Sequence, residues 1–267
     1  RIDFSGSSIA ITQGAYYVTN QGGYSVAIGS YAGRTSQQGY AVALGPQAGQ
    51  TRQQTGAVAI GSGAGQNSQQ SSSVAIGENA GETNQQNSSV AIGYSSGWRG
   101  QQNSSVAIGN QAGWTSQQQN AIALGHNAGY SSQQSNAVAL GYYAGQTNQQ
   151  IGAVAIGLNS GKNNQGARAV AIGQNVAFFN QGIASVAIGK YAGYNGQQTQ
   201  SVAVGCNAVP AIKDQMPWRL ERMGDIRVKA DMLWRSEEVQ DCRIKEQMLW
   251  RLDVMPVTQT KVPILLL

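Results

Sequence analysis

The sequence is poor in charged and titratable side chains. Only 11% of its 267 residues are Asp, Glu, Lys or Arg, and His126 is the single histidine. Residues 1–208 contain three acidic residues, Asp3, Glu78 and Glu82. Acid–base and nucleophilic catalysis need titratable groups that lie close together, and the repeat places no acid or nucleophile beside His126. We therefore expect a protein that is not an enzyme and has no catalytic residue.

Cysteine is equally scarce. Cys206 and Cys242 are the only two, which is too few for a disulfide framework or a cysteine-ligated metal cluster. The many glycines form neither a GxxxxGK[ST] nor a GxGxxG motif that follows a strand, so no phosphate-binding loop is indicated. We expect neither a metal ion nor a cofactor.

Long apolar runs and clusters of one charge are also lacking. No stretch of about 18 apolar residues is present to form a transmembrane helix. The net charge of +5 is dispersed: residues 1–208 carry 7 basic and 3 acidic residues, and residues 209–267 carry 10 and 9. Neither part shows a basic stripe of the kind that binds nucleic acid. We predict no nucleic-acid partner and no transmembrane segment in this chain.

What the sequence does contain is a repeat. Glycine recurs twelve times at intervals of 16 residues, from Gly29 to Gly205. The unit reads [S/A]-V-A-[I/L]-G-x-x-A-G-x-x-x-Q-Q-x-x, as in the copy that begins at Ser105. Alternation over Val-Ala-Ile is typical of a β-strand, and two glycines per unit disfavour a helical repeat. The pattern predicts an all-β parallel β-solenoid of 16-residue coils, each with two short strands and two turns.

Each column of the repeat then has a predicted role. Side chains of the Val and Ile/Leu columns fill the interior, and Ala32 and its equivalents fill the far wall. Gly33, Gly49 and Gly65 take a positive φ, which glycine reaches without steric cost. Gln37 begins a column that contains glutamine in every complete repeat. We expect these amides to hydrogen-bond to one another along the solenoid axis, as in Asn/Gln ladders.

The column after the valine contains only alanine. On an alternating strand these side chains point to the face opposite the Val and Ile/Leu columns. A solvated face would contain Thr, Lys or Glu, so we predict that the alanines pack against identical chains in a homo-oligomer. The alternative is a tight bend that only alanine fits. The predicted packing residues are Ala27, Ala43, Ala59, Ala75, Ala91, Ala107, Ala123, Ala139, Ala155, Ala171, Ala187 and Ala203.

The units "SVAIG" and "AVALG", each followed by "xxAG", resemble the head repeats of trimeric autotransporter adhesins, the YadA-like heads. The resemblance covers about residues 24–208, although the Gln-Gln pair departs from the family's usual pattern. It implies a left-handed β-roll, a homotrimer, an extracellular position on a cell or virion surface, and binding to a host surface, a matrix protein or a glycan. Similar repeats also suit viral or phage fibres.

Three regions follow from these patterns. Residues 1–23 depart from the strict unit and are predicted to form an N-terminal cap or an irregular first coil, and residues 24–208 form the β-roll. Residues 209–267 form a tail in which the 16-residue spacing survives at Trp218, Trp234 and Trp250. Because Met and Trp have single codons, the tail can be read as the same repeat in another frame. The alternative is a genuine C-terminal domain.

Aromatic side chains occupy variable positions of the repeat, where recognition is most readily placed. Exposed aromatic rings bind sugars and protein surfaces, and the alternative is a stacked ladder that merely covers the coil edge. The sequence thus predicts a non-enzymatic adhesin head or fibre module. A purely structural virion or envelope spike and an ice-binding solenoid are the alternatives. The candidate ligand-binding residues are Trp98, Trp114, Tyr130, Tyr94, Tyr142 and Tyr143.

Overall fold

The computed structural model describes residues 2–3, 7–11 and 20–209. This part of the chain is all β and contains no helix. It forms a parallel β-solenoid of about twelve turns. Among the described residues no helix is long and apolar enough to cross a membrane. Apart from its first residue, the predicted tail at 209–267 lies outside the described residues, so its out-of-frame origin stays a prediction.

Twenty strands make up the described part of the chain. Fourteen of them form one sheet, and two further sheets have three strands each. The strands are β1 (Ile2–Asp3), β2 (Ile9–Ile11), β3 (Val26–Ile28), β4 (Val42–Leu44), β5 (Thr51–Gln53), β6 (Val58–Ile60), β7 (Asn67–Gln69), β8 (Val74–Ile76), β9 (Thr83–Gln85), β10 (Val90–Ile92), β11 (Val106–Ile108), β12 (Ile122–Leu124), β13 (Val138–Leu140), β14 (Thr147–Gln149), β15 (Val154–Ile156), β16 (Asn163–Gln165), β17 (Val170–Ile172), β18 (Phe179–Gln181), β19 (Val186–Ile188) and β20 (Val202–Val204).

The 14-stranded main sheet is built largely from the Val-Ala-Ile segments. From β2 to β20 its strands are parallel, and in β10 and β11 Val90 lies beside Val106 and Ala91 beside Ala107. The two small sheets, β5–β7–β9 and β14–β16–β18, come from the segments that end in the glutamine column. A full turn therefore contributes one strand to the main sheet, and the turns around these small sheets contribute a second strand to another wall.

The solenoid begins irregularly. Strand β2 pairs in parallel with β3 and places Ile9 beside Val26, which is an offset of 17 residues (26 − 9). In the next pair, Val26 lies beside Val42, an offset of 16 (42 − 26). Strand β1 runs antiparallel to β2. The first turn is therefore one residue longer than the turns that follow it.

Alanine lines the inside of the main sheet. The central alanine of each Val-Ala-Ile strand is buried, whereas the flanking Val and Ile/Leu side chains are half-buried or exposed. This reverses the orientation predicted above. The prediction that the alanines form an oligomer contact is therefore wrong, because a methyl group inside its own coil does not reach another chain. The buried alanines are Ala27, Ala43, Ala59, Ala75, Ala91, Ala107, Ala123, Ala139, Ala155, Ala171, Ala187 and Ala203.

The narrow interior explains this orientation. Alternation along a strand separates two faces but does not say which face is inside. A Cβ added to Gly33 would lie 3.1 Å from the Ala27 Cβ and 2.7 Å from Gln37 Oε1. The space between the walls is therefore already filled by methyl groups and amides. A valine or isoleucine in place of Ala27 would overpack it.

Predictions about the other inner columns are confirmed. Ala32 is fully buried. Gly33, Gly49 and Gly65 have φ values of +52°, +51° and +52°. Serines that precede the valine are also inside, and the Ser105 hydroxyl donates a 2.6 Å hydrogen bond to the Gln102 carbonyl oxygen. The core thus consists of small side chains together with the glutamine column.

The buried glutamines form an amide ladder that runs from Gln37 to Gln165. Gln101 is typical: its Nε2 donates to Gln117 Oε1 at 3.2 Å, to the Val90 carbonyl at 2.7 Å and to the Ser105 carbonyl at 3.3 Å. A buried amide without partners is strongly unfavourable, so these bonds satisfy the side chains that the fold encloses. The predicted hydrogen bonding along the axis is confirmed.

Left-handed backbone at the corners explains much of the composition. In one turn, Asn79, Gly81, Asn84 and Ser88 have φ values of +54°, +52°, +56° and +56°. Such values are uncommon except in glycine, and Asn is among the residues that tolerate them best. The abundance of Gly, Asn and Ser therefore reflects the corners of the coil.

Candidate functional site

The outer face of the main sheet presents an apolar strip, which consists of the outward Val and Ile/Leu columns of the main-sheet strands from β3 to β20. Ile108 is 38% exposed and Leu140 is 41% exposed. Both columns continue from strand to strand because the paired residues are in register. Soluble monomers rarely expose a continuous apolar patch of this extent. The strip is therefore the most prominent candidate contact surface of the described solenoid.

Further apolar side chains lie in the turn that precedes the main-sheet strands. Tyr24 and Tyr40 are exposed and stack on each other, with ring centroids 5.3 Å apart. Ile151 and Ile183 are exposed in the same turn of later coils. These residues add to the apolar surface near the strip.

Three of the predicted site residues form an aromatic ladder, defined here as Trp98, Trp114 and Tyr130. The ring centroids of Trp98 and Trp114 lie 4.9 Å apart, and those of Trp114 and Tyr130 lie 4.7 Å apart, with nearly parallel planes. The Arg99 guanidinium lies over the Trp98 ring at 3.9 Å, and the Trp98 indole donates a hydrogen bond to Glu82. The rings of Trp98 and Tyr130 therefore cover both faces of Trp114, and its ring edge is the part that reaches the surface. Burial raises the pKa of Tyr130.

Two other predicted residues form a tyrosine corner, defined here as Tyr142 and Tyr143. Their rings are perpendicular, with centroids 4.3 Å apart, and both contact the His126 ring. A hydrogen bond from the Tyr142 hydroxyl lowers the pKa of Tyr143 and raises the pKa of Tyr142. A hydrogen bond from Asn127 and the positive charge of Lys162 lower the pKa of Tyr143 further.

Tyr94 belongs to neither group. It is exposed and makes no ring contact with the described residues. The structure therefore brings five of the six predicted residues together in two separate clusters and leaves Tyr94 apart from them.

A third aromatic cluster contains none of the six predicted site residues. The Phe178 patch, as it is called below, consists of Lys162, Phe178, Phe179, Tyr191 and Tyr194. Phe178 and Phe179 have ring centroids 4.5 Å apart, and Phe178 and Tyr194 have centroids 5.2 Å apart. The Lys162 Nζ lies 4.9 Å from the Phe178 centroid. The adjacent phenylalanines were the available signal, because Phe179 stands in a column that other coils fill mainly with polar residues.

Titratable side chains stay dispersed in the part of the chain that the structure describes. Within it, no three His, Cys, Asp or Glu residues come together as potential metal ligands. Besides the tyrosine rings, His126 contacts Asn127, whose Nδ2 lies 3.3 Å from the His126 Nε2. These contacts make His126 part of the tyrosine corner.

Residues 116–144 match the family model of the YadA head domain repeat, in two copies. This segment is therefore similar to YadA head repeats. The resemblance predicted from the "SVAIG" and "AVALG" units is confirmed there. Inside the YadA-like segment Ile122 lies beside Val138, and outside it Val90 lies beside Val106 in the same way.

No curated protein and no solved structure is detectably similar to the chain. The YadA-like segment contains Tyr130, Tyr142 and Tyr143, so the aromatic ladder and the tyrosine corner both extend into it. The Phe178 patch lies beyond it.

Proposed function

We propose that this chain is a non-enzymatic adhesin head or fibre module, displayed on an extracellular surface and assembled as a trimer of left-handed β-rolls. The match to YadA head repeats carries the proposal, because that family consists of surface-exposed adhesins that generally form trimers. The unchanged register of the main sheet outside the matched segment extends the argument to the rest of the solenoid. A rigid rod with recognition residues at the variable positions of its repeat needs no catalytic centre to bind a host surface, a matrix protein or a glycan.

In this proposal the apolar strip, and not the alanine column, forms the contact between identical chains. Identical rods align identical columns when they are related by a symmetry axis. Val106 and Ile108 of one chain would then face the equivalent residues of the other two chains. The apolar strip would thereby be buried in the interface and removed from contact with water. Burial of apolar surface contributes about 25 cal/mol per Å², so a strip of this length supports a stable assembly.

The flanking aromatic residues are the proposed recognition surface. Trp98, Trp114 and Tyr130 present ring edges, whereas Tyr94 and Tyr142 are well exposed. Tyrosine and tryptophan suit such surfaces because they combine a large apolar face with a polar group. The aromatic ladder also covers the coil edge, so a variant must separate binding from folding.

The mass of the full-length chain in solution tests the assembly. Light scattering after size exclusion is expected to give the mass of three chains. Ile108→Lys places a charge in the apolar strip and is expected to weaken the trimer, whereas Ile108→Val leaves the mass unchanged. A monomeric wild-type chain would contradict the trimer and with it this role for the apolar strip.

Adhesion of the trimer distinguishes the leading proposal from a purely structural spike. We expect the full-length chain to bind immobilised matrix proteins or a glycan array. The double change of Trp98→Ala and Trp114→Ala is expected to abolish that binding without changing the trimer mass. Unaltered binding would remove the aromatic ladder from the recognition surface. Absence of any binding by the wild-type chain would favour the structural spike.

A further inference from the structure

The later part of the solenoid carries charge of one sign. Between Glu82 and residue 209 the sequence contains no Asp or Glu, whereas Arg99, Lys162, Arg168 and Lys190 are basic. The charged side chains of this stretch are therefore all positive. A surface of this kind attracts anionic partners.

The Lys162 ammonium group contacts two aromatic rings. Its Nζ lies 4.8 Å from the centroid of Tyr143 and 4.9 Å from the centroid of Phe178. These rings come from the turn before and the turn after it in the sequence. Cation–π contacts orient the ammonium group but leave its charge uncompensated. Lys190 lies in the same part of the solenoid, with its Nζ 5.5 Å from the Tyr191 centroid.

In the Phe178 patch, Phe178 stacks on Tyr194 at an interplanar angle of 28°, as the rings of the aromatic ladder do, but Phe179 is oriented differently. Phe178 and Phe179 meet at an interplanar angle of 68°, and Phe179 and Tyr194 meet at 84°. Stacked neighbours cover both faces of the Trp114 ring, whereas edge contacts leave ring faces of Phe179 uncovered. Phe179 is 40% exposed. Its ring therefore offers apolar surface to an outside molecule.

Packing does not require a phenylalanine at this position. Thr147 and Asn163 occupy the same column in earlier coils, and the Thr147 hydroxyl donates a 2.9 Å hydrogen bond to Asn163 Oδ1. A small polar residue thus satisfies the fold there. An exposed phenylalanine beside cationic side chains calls for a functional explanation.

We infer that the Phe178 patch binds an acidic polysaccharide. Lys162 meets its carboxylate or sulfate groups, and Phe179 and Tyr194 meet its sugar rings. Sugar faces pack against aromatic side chains, and charge-assisted hydrogen bonds to ammonium groups fix the anions. The inference rests on the proposed adhesin function and specifies its ligand class.

Binding of the full-length chain to immobilised hyaluronate, heparin and dextran tests the inference. Hyaluronate carries carboxylates, heparin carries sulfates as well, and dextran is neutral. We expect binding to one or both acidic polymers, weakened by salt because added ions screen exposed charges, and no binding to dextran. Relative retention on hyaluronate and heparin then assigns the anion.

Matched variants locate the site. Lys162→Gln and Phe179→Thr are each expected to weaken binding roughly tenfold, the effect of losing about 1.4 kcal/mol. Arg52→Gln removes the same charge from an exposed residue that belongs to none of the aromatic clusters, and it serves as the control with nearly unchanged binding. Trimer mass is measured for each variant to exclude misfolding.

Three results would overturn the inference. Equal weakening by Arg52→Gln and Lys162→Gln would indicate attraction by net charge alone. Equal binding to dextran would remove the role of the anions, and tight binding of polyglutamate that Phe179→Thr leaves unchanged would remove the role of the sugar. If the chain still adheres to matrix proteins or to the glycan array in these cases, the adhesin proposal stands and only the ligand class fails.

Discussion

The hydrogen bonds between buried glutamine side chains differ between two stretches of the same solenoid. From Gln37 to Gln165, each side-chain amide donates to the next glutamine at 3.0–3.2 Å. Between Gln165 and Gln181 this bond is missing, and Gln181 Oε1 is buried without a hydrogen-bond partner among the described residues. The ladder resumes with the 3.1 Å bond from Gln181 to Gln197. One amide–amide hydrogen bond is therefore missing from an otherwise continuous ladder. This missing bond between Gln165 and Gln181 is called the fault below.

Ala177 explains the fault. It stands where the repeat has glycine, and its φ is +44°. An added Cβ at the equivalent Gly161 would lie 2.8 Å from Gln165 Oε1, and at Gly193 it would lie 3.0 Å from Gln197 Oε1. Ala177 carries that Cβ, so its own glutamine oxygen has to move aside. The comparison shows that this glycine both permits a positive φ and leaves room for the amide.

The largest expected difference between the two stretches is the effect of removing a glutamine. Gln101→Leu deletes three donated bonds and leaves Gln117 Oε1 without its donor. We expect a loss of about 2–4 kcal/mol in unfolding free energy, from the lost bonds and the unsatisfied buried group. Gln181→Leu is expected to be milder by about 1 kcal/mol, because its oxygen already lacks a partner.

Chemical denaturation at one protein concentration measures both variants, since the stability of an oligomer depends on concentration. The native-state hydrogen exchange of the mutated turn provides a local reading, because repeat proteins unfold in parts. Equal losses for Gln101→Leu and Gln181→Leu would show that the missing bond has no energetic consequence.

The regular features of the interior could be predicted from the sequence. Gln37 and its equivalents recur at one spacing, and buried stacked amides have one obvious way to satisfy each other. Gly33 follows the same logic, because a repeated glycine at a turn indicates a positive φ. The aromatic ladder was foreseen as an alternative for the same reason: Trp98 and Trp114 are one repeat apart.

The orientation of the main-sheet strands could not be predicted in this way. Large apolar side chains usually fill a core, so Val26 and Ile28 were placed inside. The deciding quantity is the distance between two walls, which leaves room only for Ala27 opposite the Gln37 amide. The fault at Ala177 was hidden for a similar reason, since a single methyl group matters only where an amide already fills the space.

A second variant, Gly129→Ala, introduces the same methyl group beside a glutamine of the continuous stretch. In Gly129→Ala the new Cβ would lie 2.6 Å from Gln133 Oε1, at a residue with φ of +52°. We expect a loss of about 2–3 kcal/mol, from left-handed strain of about 1–2 kcal/mol and a broken hydrogen bond of about 1 kcal/mol. Denaturation and hydrogen exchange again give the global and the local effect.

Gly56→Ala separates the two causes. Its φ is +66°, but the nearest atom to an added Cβ is the Ser72 hydroxyl oxygen at 3.9 Å. This control therefore carries the backbone strain without the clash. If Gly56→Ala and Gly129→Ala destabilise the protein equally, then backbone strain alone accounts for the glycine, and the amide plays no part.

The smallest expected effect comes from repairing the fault. Ala177→Gly removes the methyl group beside Gln181 and allows Gln165 Nε2 to donate to Gln181 Oε1. Relief of left-handed strain and one new buried hydrogen bond favour the variant, whereas the greater backbone freedom of glycine in the unfolded chain opposes it. We expect a net gain of about 1 kcal/mol, together with slower exchange of the Gln165 side-chain amide protons. A stabilised variant whose Gln165 amide still exchanges at the wild-type rate would mean that the backbone was relieved but the amide ladder was not rejoined.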